Sequence, residues 1–117
     1  MREGIELFNE QKYWECHESL EHIWLEDRTD NARYIYWAVI QVAAACIHYR
    51  DGKITGATGM IAKAKEKFRK IHELHVLTPV VDKLHWKSLE ELVMKVPATE
   101  ARLEDFKELF DFRFPSY

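Results

Sequence analysis

The sequence predicts an all-α protein, a compact bundle of five or six helices built around a central antiparallel helical hairpin. Apolar residues recur at steps of three and four along most of the chain, which is the spacing of one face of an α-helix. The 117 residues include only 4 Gly and 3 Pro, so few positions interrupt helices. The segment 35–47 is apolar except at Gln41, which is typical of a helix packed on several sides.

Length and composition predict one domain spanning residues 1–117. The formal net charge of −3 gives no electrostatic support for nucleic acid or a membrane surface as a partner. Cys16 and Cys46 fall in apolar helical surroundings, so we expect reduced core thiols and a cytoplasmic location. The first residues lead directly into a mixed-charge helix, so no signal peptide is predicted.

The first two thirds of the chain predict four helices joined by short turns. These helices span residues 2–9, 13–26, 32–50 and 54–73. The segment 27–31 has the composition of a loop that ends in a helix cap. Gly52 is expected to end the third helix, because glycine readily adopts the left-handed conformation of a C-cap. The fourth helix is amphipathic, and its cations are expected on solvated faces. These cations are Lys63, Lys65, Lys67, Arg69 and Lys70.

The last third of the chain has weaker periodicity and more capping signals. Thr78 and Pro79 predict the start of a helix over residues 79–95. Ser88 and Glu91 have capping-box spacing, which predicts a break in that helix near residues 86–88.

Thr99 is a candidate cap for a final helix over residues 100–110. The tail, residues 111–117, contains three aromatic residues, so we expect it to dock on the bundle. The alternative is that the tail contacts a second subunit or another protein.

The second predicted helix carries charged residues on its apolar side. On a helical wheel His17, Glu18 and Glu21 fall beside Trp14 and Trp24. We call these five residues the polar stripe. Carboxylates are almost never buried without a partner. The stripe therefore predicts either a structural hydrogen-bond network or a functional site.

The third predicted helix offers partners for this stripe. Its wheel groups Tyr34, Trp37, Gln41, Ala44 and His48 on one face. A short loop makes the second and third helices antiparallel neighbours. If the two faces meet, Gln41 lies near Glu21 and Trp24, and His48 lies towards Trp14 and His17.

The first part of the chain also carries a string of motif residues. They are residues 4–8 (GIELF), Tyr13, Trp14, Glu15, His17, Glu18, Glu21, Trp24, Ile40, Gln41, His48, Gly52, Gly56 and Ala57. This string resembles the bacterial and archaeal family called domain of unknown function 309, over about residues 4–71. The resemblance implies a small all-helical bundle with no established activity. The segment 78–117 is less typical of the family. Gln11 and Ala38 stand where the family often has glycine, and Lys53 stands where asparagine is common.

Four interpretations of the polar stripe remain open. The first is a satisfied structural network, in which the imidazole, amide and indole N–H groups donate to the carboxylates. The second is a pocket at Trp14 and Trp24 for a partner or for a small ligand, with a cationic or amine-bearing ligand suited to the carboxylates. The third is a divalent metal site of His17, Glu21 and His48, used for binding or hydrolysis. The fourth is general acid–base catalysis by Glu18 or Glu21, because burial favours the protonated carboxyl group.

We favour a cytosolic, non-catalytic binding or scaffold domain whose polar stripe is mainly structural. No cofactor is expected. A divalent metal is expected only in the third interpretation, the site of His17, Glu21 and His48. Expected partners are another protein or a second copy through the aromatic tail, or a small ligand, and not nucleic acid or a membrane.

Overall fold

The fold comes from a computed structural model that describes residues 1–26, 31–76, 81 and 83–115, with residues 24–26 described as helix backbone alone. Helices α1 to α4 span Arg2–Asn9, Tyr13–Glu26, Arg33–Arg50 and Ile54–Glu73. Helix α5 spans Trp86–Lys95, and a 3₁₀ turn at Leu103–Phe106 leads into α6 at Lys107–Asp111. These ranges contain no strand. The all-α prediction with five or six helices is confirmed for this part of the chain, and the loop expected at residues 27–30 lies outside it.

Helix α3 is the central element, with α2 on one side and α4 on the other. Arg50 at the end of α3 donates to the backbone oxygen of Gln11 before α2, at 3.3 Å. Lys67 near the end of α4 lies over the ring of Trp37, near the start of α3, at 4.2 Å. Both pairs join the late part of one helix to the early part of its neighbour. The predicted antiparallel hairpin of α2 and α3 is therefore confirmed, and α4 extends it.

The middle of α3 is packed on every side, as predicted, because residues 38–43 are all buried. Its buried residues include Val39, Val42 and Ala45, which face the common core. Tyr36 and Ile47 are only half-buried. Burial is therefore complete in the middle of α3 and partial towards its two ends.

Helices α1 and α2 approach closely at Gly4. A Cβ atom at this position would lie 2.5 Å from Cδ2 of Leu20, which is closer than carbon atoms pack. Leu20, Ile5 and Phe8 are fully buried. The absence of a side chain at Gly4 thus lets the first two helices share the core.

Helix α4 buries the apolar face that its periodicity predicts, including Ala57, Ile61 and Phe68. Its cations do not all lie on solvated faces, in contrast to the prediction. Lys67 is only 7% exposed, so the expectation that it lies on a solvated face is wrong. Its ammonium group lies on the Trp37 ring, where a cation–π contact compensates for lost hydration. Lys65 donates to the backbone oxygen of Val96 at 2.5 Å, which ties α4 to the end of α5.

The helical segment predicted over residues 79–95 is interrupted just before the expected break at residues 86–88. Val81 is helical, and residues 83–85 form a turn. Helix α5 starts at Trp86 after His85, whose φ of 56° breaks the helical path. Ser88 therefore lies inside the first turn and does not form the predicted capping box. Residues 79–80 and 82 of the expected helix lie outside the described chain, as does the cap at Thr78.

The final helix also differs from the predicted range of 100–110. Asp105 accepts a hydrogen bond from the backbone N–H of Arg102 at 2.8 Å, which caps the 3₁₀ turn. Glu100 has a φ of 57°, so the chain at this position is not helical. The carboxylate of Asp105, rather than Thr99, marks the start of this element.

The aromatic tail docks on the bundle, as predicted, as far as residue 115. Phe114 is 3% exposed, and its ring lies 5.0 Å from that of Phe8. Asn9 donates to the backbone oxygen of Phe114 at 2.9 Å and accepts from its N–H at 2.7 Å. The tail's phenyl rings therefore belong to the core.

None of the described helices is long and apolar enough to cross a membrane.

Candidate functional site

Helix α2 presents three different faces, and these define the candidate site. Tyr13, Cys16 and Leu20 are fully buried, so the steps of three and four between them mark the face against the core. One flank carries Trp14, His17 and Glu21, and another carries Glu18. The polar stripe thus borders the buried face and does not lie within it.

Trp14 is the largest exposed aromatic side chain in the described residues, with 58% of its surface accessible. Its indole stacks on the imidazole of His17, with ring centroids 5.3 Å apart and planes 22° apart. Nε2 of His17 lies 3.2 Å from a carboxylate oxygen of Glu21. We call these three residues the Trp14 platform. They form a continuous row of aromatic ring, imidazole and carboxylate along one flank of α2.

The predicted burial of the acidic residues is wrong. Glu18 is exposed, and the Glu21 side chain is 44% exposed. Helix α2 packs against α1 and α3, and neither covers the side that carries these carboxylates. A helical wheel shows which residues share a face and does not show where neighbouring helices stop. The burial required for general acid–base catalysis is therefore absent at Glu18.

The face of α3 that carries Trp37 and His48 contacts α4. The predicted position of His48 towards Trp14 and His17 therefore does not describe its contact with α4, and the pairing of Gln41 with Glu21 and Trp24 stays a prediction. A Cβ atom at Gly56 of α4 would lie 2.6 Å from Nδ1 of His48. Trp37 contacts Lys67 of α4. It also stacks with Tyr34 of α3, with ring centroids 6.0 Å apart. Gln41 lies between Trp37 and His48 on this face and is 7% exposed.

Within the described residues, two buried polar atoms of the predicted network have no hydrogen-bond partner. They are Nδ1 of His17 and Oε1 of Gln41. The described contacts of His17 are to Trp14 and Glu21. The fully satisfied network of the first interpretation is therefore not formed by these residues. The side chain of Trp24 lies outside the description, and the pocket predicted at Trp14 and Trp24 remains a prediction.

The predicted metal ligands His17, Glu21 and His48 do not converge. His17 and Glu21 are paired on α2, whereas His48 packs against α4. Across the described chain, no three side chains of the metal-binding types meet at one point. His22, His72, His75 and His85 are exposed, and His72 pairs with Glu90 at 2.9 Å.

Beneath the Trp14 platform, the core contains two free thiols and a phenol. Burial raises the pKa of Cys16 to about 12, and the neighbouring Cys46 thiol adds to this shift. Burial likewise raises the pKa of Cys46 to about 12 and that of Tyr13 above its usual range. A thiolate is the reactive form of cysteine, so both thiols are protonated and unreactive at neutral pH.

Two features of this region were not predicted from the sequence. Gly56 provides the space for the His48 ring, and Lys67 covers Trp37. The glycine was visible as a motif residue, and its role as a contact site was not. Only the register of α3 against α4 shows which side chain lies opposite it.

Fold and site together define a small helical domain that displays an aromatic and charged platform on its second helix. Residues 1–60 match the sequence model of a protein family that is described as Domain of unknown function (DUF309). The chain therefore belongs to this family, and the resemblance seen in the sequence is confirmed. The matched residues contain α1, α2, α3 and the start of α4, and thus the whole Trp14 platform.

A relative in Bacillus subtilis (strain 168), named uncharacterized protein YpuF, is 33% identical over 60 residues. The match covers 51% of this chain and 34% of the relative, so this chain spans about a third of the relative's length. No solved structure matches this chain.

Proposed function

We propose that this protein is a cytosolic, non-catalytic binding domain that recognises another protein through the Trp14 platform. The observation that carries the proposal is the 58% exposure of an indole that is held in a ring stack. Tryptophan is the residue type most enriched among the side chains that dominate protein-binding energy.

The order of the Trp14 side chain supports this role. Stacking on His17 restricts the indole, and the pairing of His17 with Glu21 restricts the imidazole in turn. A side chain that is ordered before binding loses less conformational entropy when a partner covers it. The platform therefore has a smaller entropic cost of binding than a mobile surface tryptophan.

The platform is also chemically mixed, which favours a specific protein partner. The indole offers apolar surface and an N–H donor, and the half-exposed Glu21 carboxylate offers an acceptor at the edge. Protein interfaces combine an apolar anchor with a polar rim in this way. The two protonated, buried thiols support a reducing compartment such as the cytosol.

The test compares proteins that co-purify with the wild-type chain and with Trp14→Ala from the native cells, measured by quantitative mass spectrometry. We expect at least one partner to lose about tenfold or more in recovery, because removal of a central aromatic anchor costs roughly 2 kcal/mol or more. Direct titration of that partner with both proteins should give the same loss of affinity.

Leu103→Ala is the matched control, because Leu103 is an exposed large apolar residue remote in sequence from the platform. It should leave the recovered partner unchanged. Thermal unfolding must show that Trp14→Ala folds normally. If both variants retain every partner at wild-type recovery, the platform is not the recognition surface.

A further inference from the structure

We infer that a second surface, the groove between α1 and α2, binds a short basic peptide segment of a partner. This α1–α2 groove has a volume of about 800 Å³. Its apolar lining includes Met1, Leu7 and Ile23, and its carboxylates are those of Glu3, Glu15 and Glu18. This inference concerns a different flank of α2 and does not depend on the Trp14 platform.

The apolar part of the groove is anchored on the protein core. Met1, Leu7 and Ile23 are half-buried and pack against the core cluster. The close approach of Gly4 to Leu20 holds α1 against α2 and fixes the base of the groove. A partner therefore meets a shaped apolar surface that needs no rearrangement of the two helices.

The charge of the groove selects the kind of partner. Glu3, Glu15 and Glu18 are all exposed, and none forms an ion pair with another described residue. No lysine or arginine belongs to the described lining. An incoming cation therefore pairs with these carboxylates without first replacing a salt bridge to another described residue.

The proposed occupant is a helical segment with one apolar face and one basic face. The stretch of α2 from Glu15 to Ile23 is about 12 Å long at 1.5 Å per residue, which matches two turns of a partner helix. Apolar side chains of that helix would cover Leu7 and Ile23. Its lysine or arginine side chains are long enough to reach the carboxylates while their stems stay on the apolar surface.

The test uses three labelled 14-residue helical peptides and fluorescence anisotropy. The first carries leucine on one face and lysine on the other. The second replaces lysine with glutamate, and the third replaces leucine with serine. We expect the wild-type protein to bind only the first peptide well, with affinity that falls as salt is added.

The double variant E15K/E18K should weaken binding of the leucine–lysine peptide by about tenfold or more. The matched control E66K/E100K makes the same change in net charge at exposed glutamates outside the groove lining, and should weaken it by less than about threefold. Trp14→Ala should bind the peptide normally, which separates this inference from the proposed function.

Three outcomes would overturn the inference. One is no binding of the leucine–lysine peptide to the wild-type protein at millimolar concentration. Another is equal weakening by both double variants, which indicates general charge attraction. The third is a groove already closed by a second copy, seen as a wild-type dimer by light scattering that E15K/E18K converts to a monomer.

Discussion

At the scale of single residues, two glycines set how closely the helices of this protein approach. Gly4 leaves space for Leu20 between α1 and α2, and Gly56 leaves space for His48 between α3 and α4. Helix propensity disfavours glycine at such positions by about 1 kcal/mol relative to alanine. Packing therefore outweighs propensity at both sites.

The first prediction concerns Gly56 and its neighbour in the same helix, Gly59. Gly56→Ala should lower the free energy of unfolding by about 1–3 kcal/mol, because the new methyl group overlaps the His48 ring. Gly59→Ala should raise it by about 0.5–1 kcal/mol, because nothing lies within 4 Å of its Cβ position and alanine favours the helix. Urea denaturation of both variants measures the difference.

A His48→Ala background provides the cross-check for this prediction. Without the imidazole, Gly56→Ala should no longer destabilise the protein relative to its parent. An unchanged penalty in that background would mean that the methyl group meets some other atom than those of His48.

At the scale of elements, helix α2 combines a narrow buried face with two exposed flanks. Tyr13, Cys16 and Leu20 supply its contact with the core, while His17 and Glu21 lie beside them at the surface. The half-buried residues His17, Ser19 and Ile23 border these buried side chains. The exposed side chains on its two flanks, among them Trp14, Glu15 and Glu18, are available for binding. Both proposed surfaces therefore include α2.

The second prediction belongs to the scale of elements and concerns Glu21→Gln. A half-exposed ion pair four residues apart on a helix contributes less than about 1 kcal/mol to stability. The variant should therefore unfold within about 1 kcal/mol of the wild type, measured by urea denaturation at neutral pH. A loss of 3 kcal/mol or more would instead indicate the buried network that the sequence suggested. Glu73→Gln, which breaks the exposed pair with Lys70, is the control.

At the scale of the whole molecule, the C-terminal tail closes the bundle onto its first helix. Asn9 and Phe114 are 105 residues apart in the chain and are joined by two hydrogen bonds. Phe8 contacts both Phe114 and Tyr13, and the Tyr13 hydroxyl donates to the backbone oxygen of Phe110 at 3.4 Å. The segment outside the family match thus completes the core of the matched segment.

The third prediction belongs to the scale of the whole molecule and is that Asn9→Ala releases the tail. Loss of two hydrogen bonds should lower the free energy of unfolding by about 1–3 kcal/mol. Hydrogen exchange at the Phe114 amide should become faster, because Oδ1 of Asn9 accepts from this N–H. Asn31→Ala, at an exposed position, is the control and should change neither quantity. Unaltered Phe114 exchange in Asn9→Ala would show that the aromatic contacts alone hold the tail.

The sequence by itself determined the helices of the first two thirds of the chain, because their apolar spacing and short turns are local properties. Helices α1, α2 and α4 have the predicted bounds, and α3 begins one residue later than predicted. It also determined the antiparallel order of α2 and α3 and the family to which the chain belongs. The later helices were less predictable, because the left-handed backbone of His85 and the capping by Asp105 are not visible in apolar periodicity.

Only the tertiary structure decided which face of each helix is covered. The wheel places Glu18 and Glu21 beside apolar residues, but coverage depends on which neighbouring helices reach that side. Helix α4 takes the face of α3 that carries His48, and the carboxylates of α2 remain at the surface. The physical reason is that periodicity is a property of one helix, whereas burial is a property of the space between several helices.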